Sequence, residues 1–290
     1  MAVEKSSVSE LIEMDWNYLN RVSWRQKIIQ DHPETVVGAE DICEPAINEF
    51  YTWLLGNYLP TRFPRMFRLS TAQKGVTTVL HSIVTGEEFC LDPPEKPVDA
   101  LKIVGRLVDD DFQFLVRSED GDGYVLKGIV TCCPSGFDMS KKMNLKVRDI
   151  HKPIPGYKEK LEKSMDRFFD RLEVGTFVKR VNWTITTSNE LFTPSGTHLY
   201  EGEEMPEVEI DINQVHLRCE RQVVHRLPKS EAIIFSFKTY LYPVTDIKTE
   251  GLGEDLATAI EGLQLGSVPA FHWYKRAAVW GDAVKSYLRS

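Results

Sequence analysis

What this chain has little of narrows its chemistry before any motif is read. Its five cysteines, Cys43, Cys90, Cys132, Cys133 and Cys219, are few and irregularly spaced. They offer neither a disulfide framework nor a CxxC zinc pair, so reduced thiols are expected. If the neighbours Cys132 and Cys133 lie on a strand, one side chain is buried and the other points outward. There is no apolar run near the roughly 18 to 20 residues of a membrane span, and the early acids of Met1 to Glu13 break up any secretory leader. A cytoplasmic protein is expected, in which the sequon Asn182-Trp183-Thr184 goes unused. Basic charge is short as well: 43 acidic side chains against 35 basic ones give a net charge of −8, which speaks against nucleic acid and anionic membrane as partners. A glycine-rich dinucleotide fingerprint, an iron–sulfur cysteine spacing, internal repeats and low-complexity tracts are also missing.

What is present reads as one α+β domain over residues 1–290. The hydrophobic faces of Val8 to Val22 and Glu40 to Tyr58 predict an N-terminal helical region, 1–66, closed by Pro60 and Pro64. Val98 to Val108 repeats the helical pattern. The period then shortens to two. Phe112 to Arg117 and Tyr124 to Cys132 form a hairpin around Glu119-Asp120-Gly121-Asp122-Gly123. Phe177 to Thr187, His216 to Leu227 and Ala232 to Tyr242 bring the antiparallel sheet to about five strands, in a core spanning about 70–245. Thr193 to Glu209 is a polar surface loop. Leu252 to Leu263 and Ala277 to Leu288 supply C-terminal helices within 246–290, where Trp273, Tyr274 and Trp280 either pack in a core or mark an interface.

Two segments carry candidate chemistry. Asp149-Ile150-His151-Lys152-Pro153-Ile154-Pro155-Gly156-Tyr157 sets one histidine on a turn stiffened by two prolines, ahead of an amphipathic helix through Leu161, Met165, Phe168, Phe169 and Leu172. His151 is either a metal ligand or a capping residue. On the strand His216 to Arg226, one face presents Arg218, Glu220, Gln222, Val224 and Arg226, and the other Leu217, Cys219, Arg221, Val223 and His225. The second face is the more apolar. If it turns inward, Arg221 meets either a ligand carboxylate or an acid of the chain itself.

Four ordered segments carry a family resemblance: Leu126 to Gly136, Ile150 to Tyr157, Arg180 to Ile185 and Leu217 to Gln222, the last followed by Arg226-Leu227-Pro228-Lys229-Ser230. Together with Asp15-Trp16, Tyr18 and Leu59-Pro60-Thr61-Arg62-Phe63-Pro64, they resemble the haem-dependent oxidative N-demethylase family from about residue 11 to 245. The resemblance implies a PAS-like sheet holding haem b through one axial histidine. It also implies oxidation of a small methylated amine, with electrons delivered through flavin and an iron–sulfur cluster.

Carried onto this chain, His151 is the axial iron ligand, with Asp149 or a nearby carbonyl fixing its tautomer and His225 as the reserve ligand. Arg221 and Arg226 bind the haem propionates, and Glu220 and Gln222 orient Arg226 and serve the chemistry. With no reductase fused, electrons come from a separate flavin or iron–sulfur partner. The chain departs from the family pattern at His225, where an arginine is usual, and at Thr186-Thr187-Ser188, where a histidine often follows. The substrate therefore stays open. Three other readings stand beside the monooxygenase: a redox-neutral haem enzyme, separated by reductant dependence; a PAS-like haem or ligand sensor; and a PAS-like interaction module without cofactor.

Overall fold

The computed structural model describes residues 3–71, 78–206 and 208–290. Its centre is a seven-stranded sheet of order β1-β8-β9-β10-β6-β7-β2, antiparallel at every pairing. Its strands are β1 (Glu4–Ser6), β2 (Val37–Ala39), β6 (Asp111–Arg117), β7 (Tyr124–Val130), β8 (Phe177–Thr186), β9 (His216–Arg226) and β10 (Ile233–Pro243). A separate three-stranded sheet is formed by β3 (Phe67–Thr71), β4 (Thr78–Ser82) and β5 (Glu88–Cys90). The longer helices are α1 (Tyr18–Asp31), α2 (Glu44–Trp53), α3 (Pro97–Leu107), α4 (Glu162–Arg171), α5 (Gly253–Leu265) and α6 (Ala277–Arg289).

The five strands read from β-type composition are the five long ones. The other two, β1 and β2, are three-residue edge strands, too short to alternate visibly. Both come from the region expected to be helical, and they cap opposite edges of the sheet. The expected helix from Val8 to Val22 is broken. A 3-10 turn, Val8–Glu10, precedes irregular chain, and α1 starts only at Tyr18. The break lets Leu11 and Ile12 turn completely inward. Helix α2 runs on through a π turn, Leu54–Tyr58, into Leu59–Arg62. The loop from Thr193 onward carries neither helix nor strand as far as the 3-10 turn Ile212–Gln214, among the described residues.

Both faces of the sheet are covered. One packs on the N-terminal helices, where Phe112, Phe114, Val223 and Ile234 meet Ile47, Phe50 and Leu101. The other, with Leu115, Leu126 and Ile233, meets Tyr157, Met165 and Phe169 from the segment that follows β7. The C-terminal helices close one end around Trp280 and Val284, with Tyr274 and Trp280 buried rather than displayed. Strand β7 stops at Val130, and Cys132 and Cys133 are both buried, not split between faces. Their backbone N–H groups donate, each at 2.8 Å, to the Asp111 carboxylate, which also pairs with Arg25 at 2.7 Å.

Candidate functional site

Between the second face of the sheet and the Val147 to Arg171 segment lies a cavity of about 450 Å³. Its floor is the even-numbered face of β9: Arg218, Glu220, Gln222 and Val224. Register extends that floor. Gln222 lies opposite Arg180 and Phe237, Glu220 opposite Asn182, and Val224 opposite Val178 and Phe235. The walls come from Ile150, His151, Ile154, Met165, Phe168 and Phe169 on one side, and from His198, Phe271, Tyr274 and Lys275 at the other end.

His151 is the last residue of a short helix, Val147–His151, and the proline-bearing turn follows it. Its Nδ1 lies 2.8 Å from the Val147 carbonyl, and its ring stacks on Tyr157. A carbonyl only accepts, so Nδ1 carries the proton and Nε2 keeps its lone pair. The acceptor is thus a backbone carbonyl one turn back, not Asp149. Burial holds the imidazole below its ordinary pKa, against the pull of the Val147 hydrogen bond, so the ring is neutral at neutral pH.

The polar floor forms a hydrogen-bonded chain. Arg180 Nε donates to Gln222 Oε1 at 2.6 Å, and Gln222 Nε2 donates to Glu220 Oε2 at 2.9 Å. Asn182 Nδ2 reaches the same carboxylate at 3.5 Å. Arg218 is almost wholly buried and grips backbone rather than acid: Cys133 O at 2.8 Å, Pro134 O at 3.1 Å, and Leu191 O at 3.2 Å. This ties the 190s loop to the end of β7 and holds that side of the cavity.

Only part of the residue set read from the sequence meets here. His151, Glu220 and Gln222 line the cavity; Arg221, His225 and Arg226 do not. The more apolar face of β9 does turn inward, but the cavity lies on the other side of the strand. The more apolar odd face packs on the N-terminal helices, and the more polar even face floors the cavity. Arg221 pairs with Glu13 at 3.0 Å and also donates to the Glu10 carbonyl, so the internal ion pair is the arrangement found. His225 is fully enclosed by Phe177, Phe50 and Trp53, with its ring centroid 4.8 Å from that of Phe177. Both its ring nitrogens lack a partner, and burial pushes its pKa down to about 3. Arg226 donates to the carbonyls of Phe169 and Leu172, each at 2.6 Å, and to the Tyr124 hydroxyl at 2.8 Å. It therefore pins the end of α4 rather than meeting Glu220 or Gln222.

Arg180, His198 and Lys275 are among the cavity residues missed from sequence. Arg180 sits on β8, and its alternation with Val181 and Asn182 was the available signal. His198 and Lys275 come from a loop and an interhelical turn, where no periodicity marks them. His198 stacks on Tyr274 with ring centroids 4.4 Å apart, and burial pushes it down to about 4. Lys275 donates to the Trp183 carbonyl and lies over the Trp183 ring at 5.0 Å. Burial lowers it to about 8, with Glu220 opposing that shift.

The site fits an iron porphyrin on its own chemistry. It is largely apolar with one polar end, which suits an amphipathic macrocycle. It offers a neutral histidine, His151, whose Nε2 remains available, and a second neutral histidine, His198, at the other end. Among the described residues no three metal-ligating side chains cluster, so the side chains alone provide no metal cage. A porphyrin supplies four ligands of its own and asks the protein for one. No described helix is long and apolar enough to cross a membrane.

A comparison with protein families matches residues 2–285 to the haem-dependent oxidative N-demethylase, alpha subunit-like family. The match spans nearly the whole chain, so the chain belongs to that family. The family's description names haem dependence and an oxidative reaction, and its subunit designation implies a partner subunit.

Proposed function

On the premise of that membership, we propose that this chain is a haem b oxidoreductase, a single PAS-like domain in which His151 would hold the iron. In this reading it oxidises a small substrate, such as an N-methyl amine, with oxygen and with electrons from a separate reductase. The observation that carries the reading is His151, its Nδ1 committed to the Val147 carbonyl, in the wall of a mostly apolar cavity.

Haem bound there supplies the iron at which oxygen is activated and the substrate is oxidised. The chain's own residues do the rest. The Val147 carbonyl and the Tyr157 ring fix the imidazole's tautomer and plane, so Nε2 is presented without rotational freedom. Phe168, Phe235 and Phe237 exclude water from the apolar end. Glu220 is the carboxylate of the cavity floor, aimed by Gln222 and Asn182. It accepts a hydrogen bond from an amine N–H and so orients the methyl group. Gln222, fixed between Arg180 and Glu220, holds that geometry.

The test is an absorption titration with haemin, followed by dithionite and carbon monoxide. The purified haem protein is then supplied with a reductase, oxygen and methylated amines, and formaldehyde is measured. A one-to-one Soret band that shifts with carbon monoxide, with formaldehyde released only when reductant is present, supports the reading. Absence of haem uptake overturns it. Turnover independent of reductant replaces oxidation with a redox-neutral reaction.

A further inference from the structure

Two cations of the cavity wall, like Arg218 and Arg226, take neutral acceptors where other cations of this chain pair with acids. Lys238 pairs with Asp15 at 2.6 Å, Arg21 with Asp109 at 2.9 Å and Arg221 with Glu13 at 3.0 Å. Arg180 and Lys275 form no ion pair with a described carboxylate. Arg180 donates to the neutral amide oxygen of Gln222, and Lys275 to the neutral carbonyl of Trp183. Glu220 lies on the same wall, with the amides of Gln222 and Asn182 on its Oε2, and stands beyond ion-pair distance of both cations.

The energetic consequence is visible in both groups. Burial pulls Arg180 below the usual guanidinium value and Lys275 to about 8, while Glu220 offsets this only in part. Positive charge held in a partly buried wall with only a distant counter-charge is costly, and an anion entering the cavity lowers that cost. A guanidinium takes a carboxylate through two parallel N–H bonds, and an ammonium takes one as a point charge.

We propose that Arg180 and Lys275 form a carboxylate clamp at the polar end of the cavity. Its ligand is a porphyrin propionate or the carboxylate of a substrate bound beside the ring. The first source rests on the haem reading above; the second does not require the propionates. Arg221 and Arg226, the arginines that the sequence suggested for this duty, are committed to Glu13 and to the end of α4.

The experiment compares free acids with esters. Wild-type protein is titrated with haemin, haemin dimethyl ester, metal-free protoporphyrin IX and its dimethyl ester, with absorption and porphyrin fluorescence as readouts. The free acids are expected to bind at least about tenfold more tightly than the esters, equivalent to ~1.4 kcal/mol. Arg180→Gln and Lys275→Met should each erase most of that preference, read as the ratio of acid to ester affinity within each variant. If acid and ester bind alike, benzoate is added to haem-loaded wild type. A Soret shift that the variants lose assigns the clamp to a substrate carboxylate.

Equal acid and ester affinity with no benzoate effect overturns the clamp even if haem binds one-to-one through His151. An acid preference seen only with metal-free porphyrin sustains the clamp and sinks the iron-ligation reading. If no porphyrin and no benzoate bind, both fall. Should the variants unfold, Lys275 in wild type is labelled with acetic anhydride and mapped by mass spectrometry. Protection by the porphyrin acid but not by its ester sustains the proposal, and equal labelling overturns it.

Discussion

The imidazole of His151 and the phenol ring of Tyr157 lie face to face, with centroids 5.2 Å apart and planes 19° from parallel. Gly156, at φ +69°, turns the chain between them, and Tyr157 opens the next short helix. The Pro153–Pro155 stretch thus sets the ring's backing plate as well as stiffening the turn. With Nδ1 tied to Val147, the imidazole is restrained at one edge and on one face.

His151→Ala is expected to change haem ligation while sparing the fold. The ring is partly buried at a cavity wall, so the apo-protein should lose only about 1 kcal/mol of stability. The haem spectrum of the variant should lose its histidine-ligated signature, checked by absorption and electron paramagnetic resonance. An unchanged iron signature would remove His151 from the site.

His225 is expected to make stability fall in acid. Its folded pKa is depressed to about 3 by burial, below the 6.5 of a free imidazole, so the unfolded chain takes up a proton that the folded one refuses. The contribution is intact above pH 6.5 and is lost as pH falls from there toward 3. His225→Phe keeps the ring among Phe177, Phe50 and Trp53 and abolishes the titration. Relative to wild type, the variant should gain roughly 2 kcal/mol between pH 7 and pH 5, measured by urea denaturation. Parallel curves would mean that the histidine finds a proton acceptor in the fold.

Asp110 is expected to act in the opposite sense. Both its carboxylate oxygens lack a partner, and burial raises its pKa to about 7, against the pull of Lys238, Arg25 and Arg221 and with the help of Asp109. The folded state keeps a proton that the unfolded state releases above 3.8, so stability declines as pH rises from about 4 to 7. Asp110→Asn mimics the protonated form. It should match wild type near pH 4 and exceed it at pH 8 by on the order of 2 kcal/mol. A variant less stable at both pH values would show that the carboxylate is needed ionised.

Gly136→Ala is expected to disturb the His198 end of the cavity. At φ +81° an added Cβ would lie 1.8 Å from Thr197 Oγ1 and 2.4 Å from His198 Nδ1. The loop must give way, and the left-handed backbone adds about 1 to 2 kcal/mol. Greater modification of His198 by diethyl pyrocarbonate, mapped by mass spectrometry, checks the displacement. Unchanged reactivity would show that the loop accommodates a methyl group there.

The five long strands were legible from runs of β-type composition bounded by turn residues, and β9 also from its alternation of polar and apolar residues. Strands β1 and β2 were not, because three residues make no pattern and their pairing depends on distant partners. The face of β9 was misread for a physical reason. A polar face normally meets water, but here both faces are covered, and the polarity of Arg218, Glu220 and Gln222 marks the floor of an internal cavity. The matching polarity of Arg180 and Asn182 on β8 would have shown this had the register been known.

By itself the sequence determined the five long strands, most of the longer helices, the stiff His151 turn and the family, because local spacing, turn residues and ordered motifs are properties of contiguous chain. Tertiary structure alone decided which face of β9 meets the cavity, that Glu13 takes Arg221, and that Lys275 and His198 join Glu220 in lining one cavity. Those outcomes depend on strand register and on contacts between residues dozens to hundreds of positions apart, which no local pattern encodes.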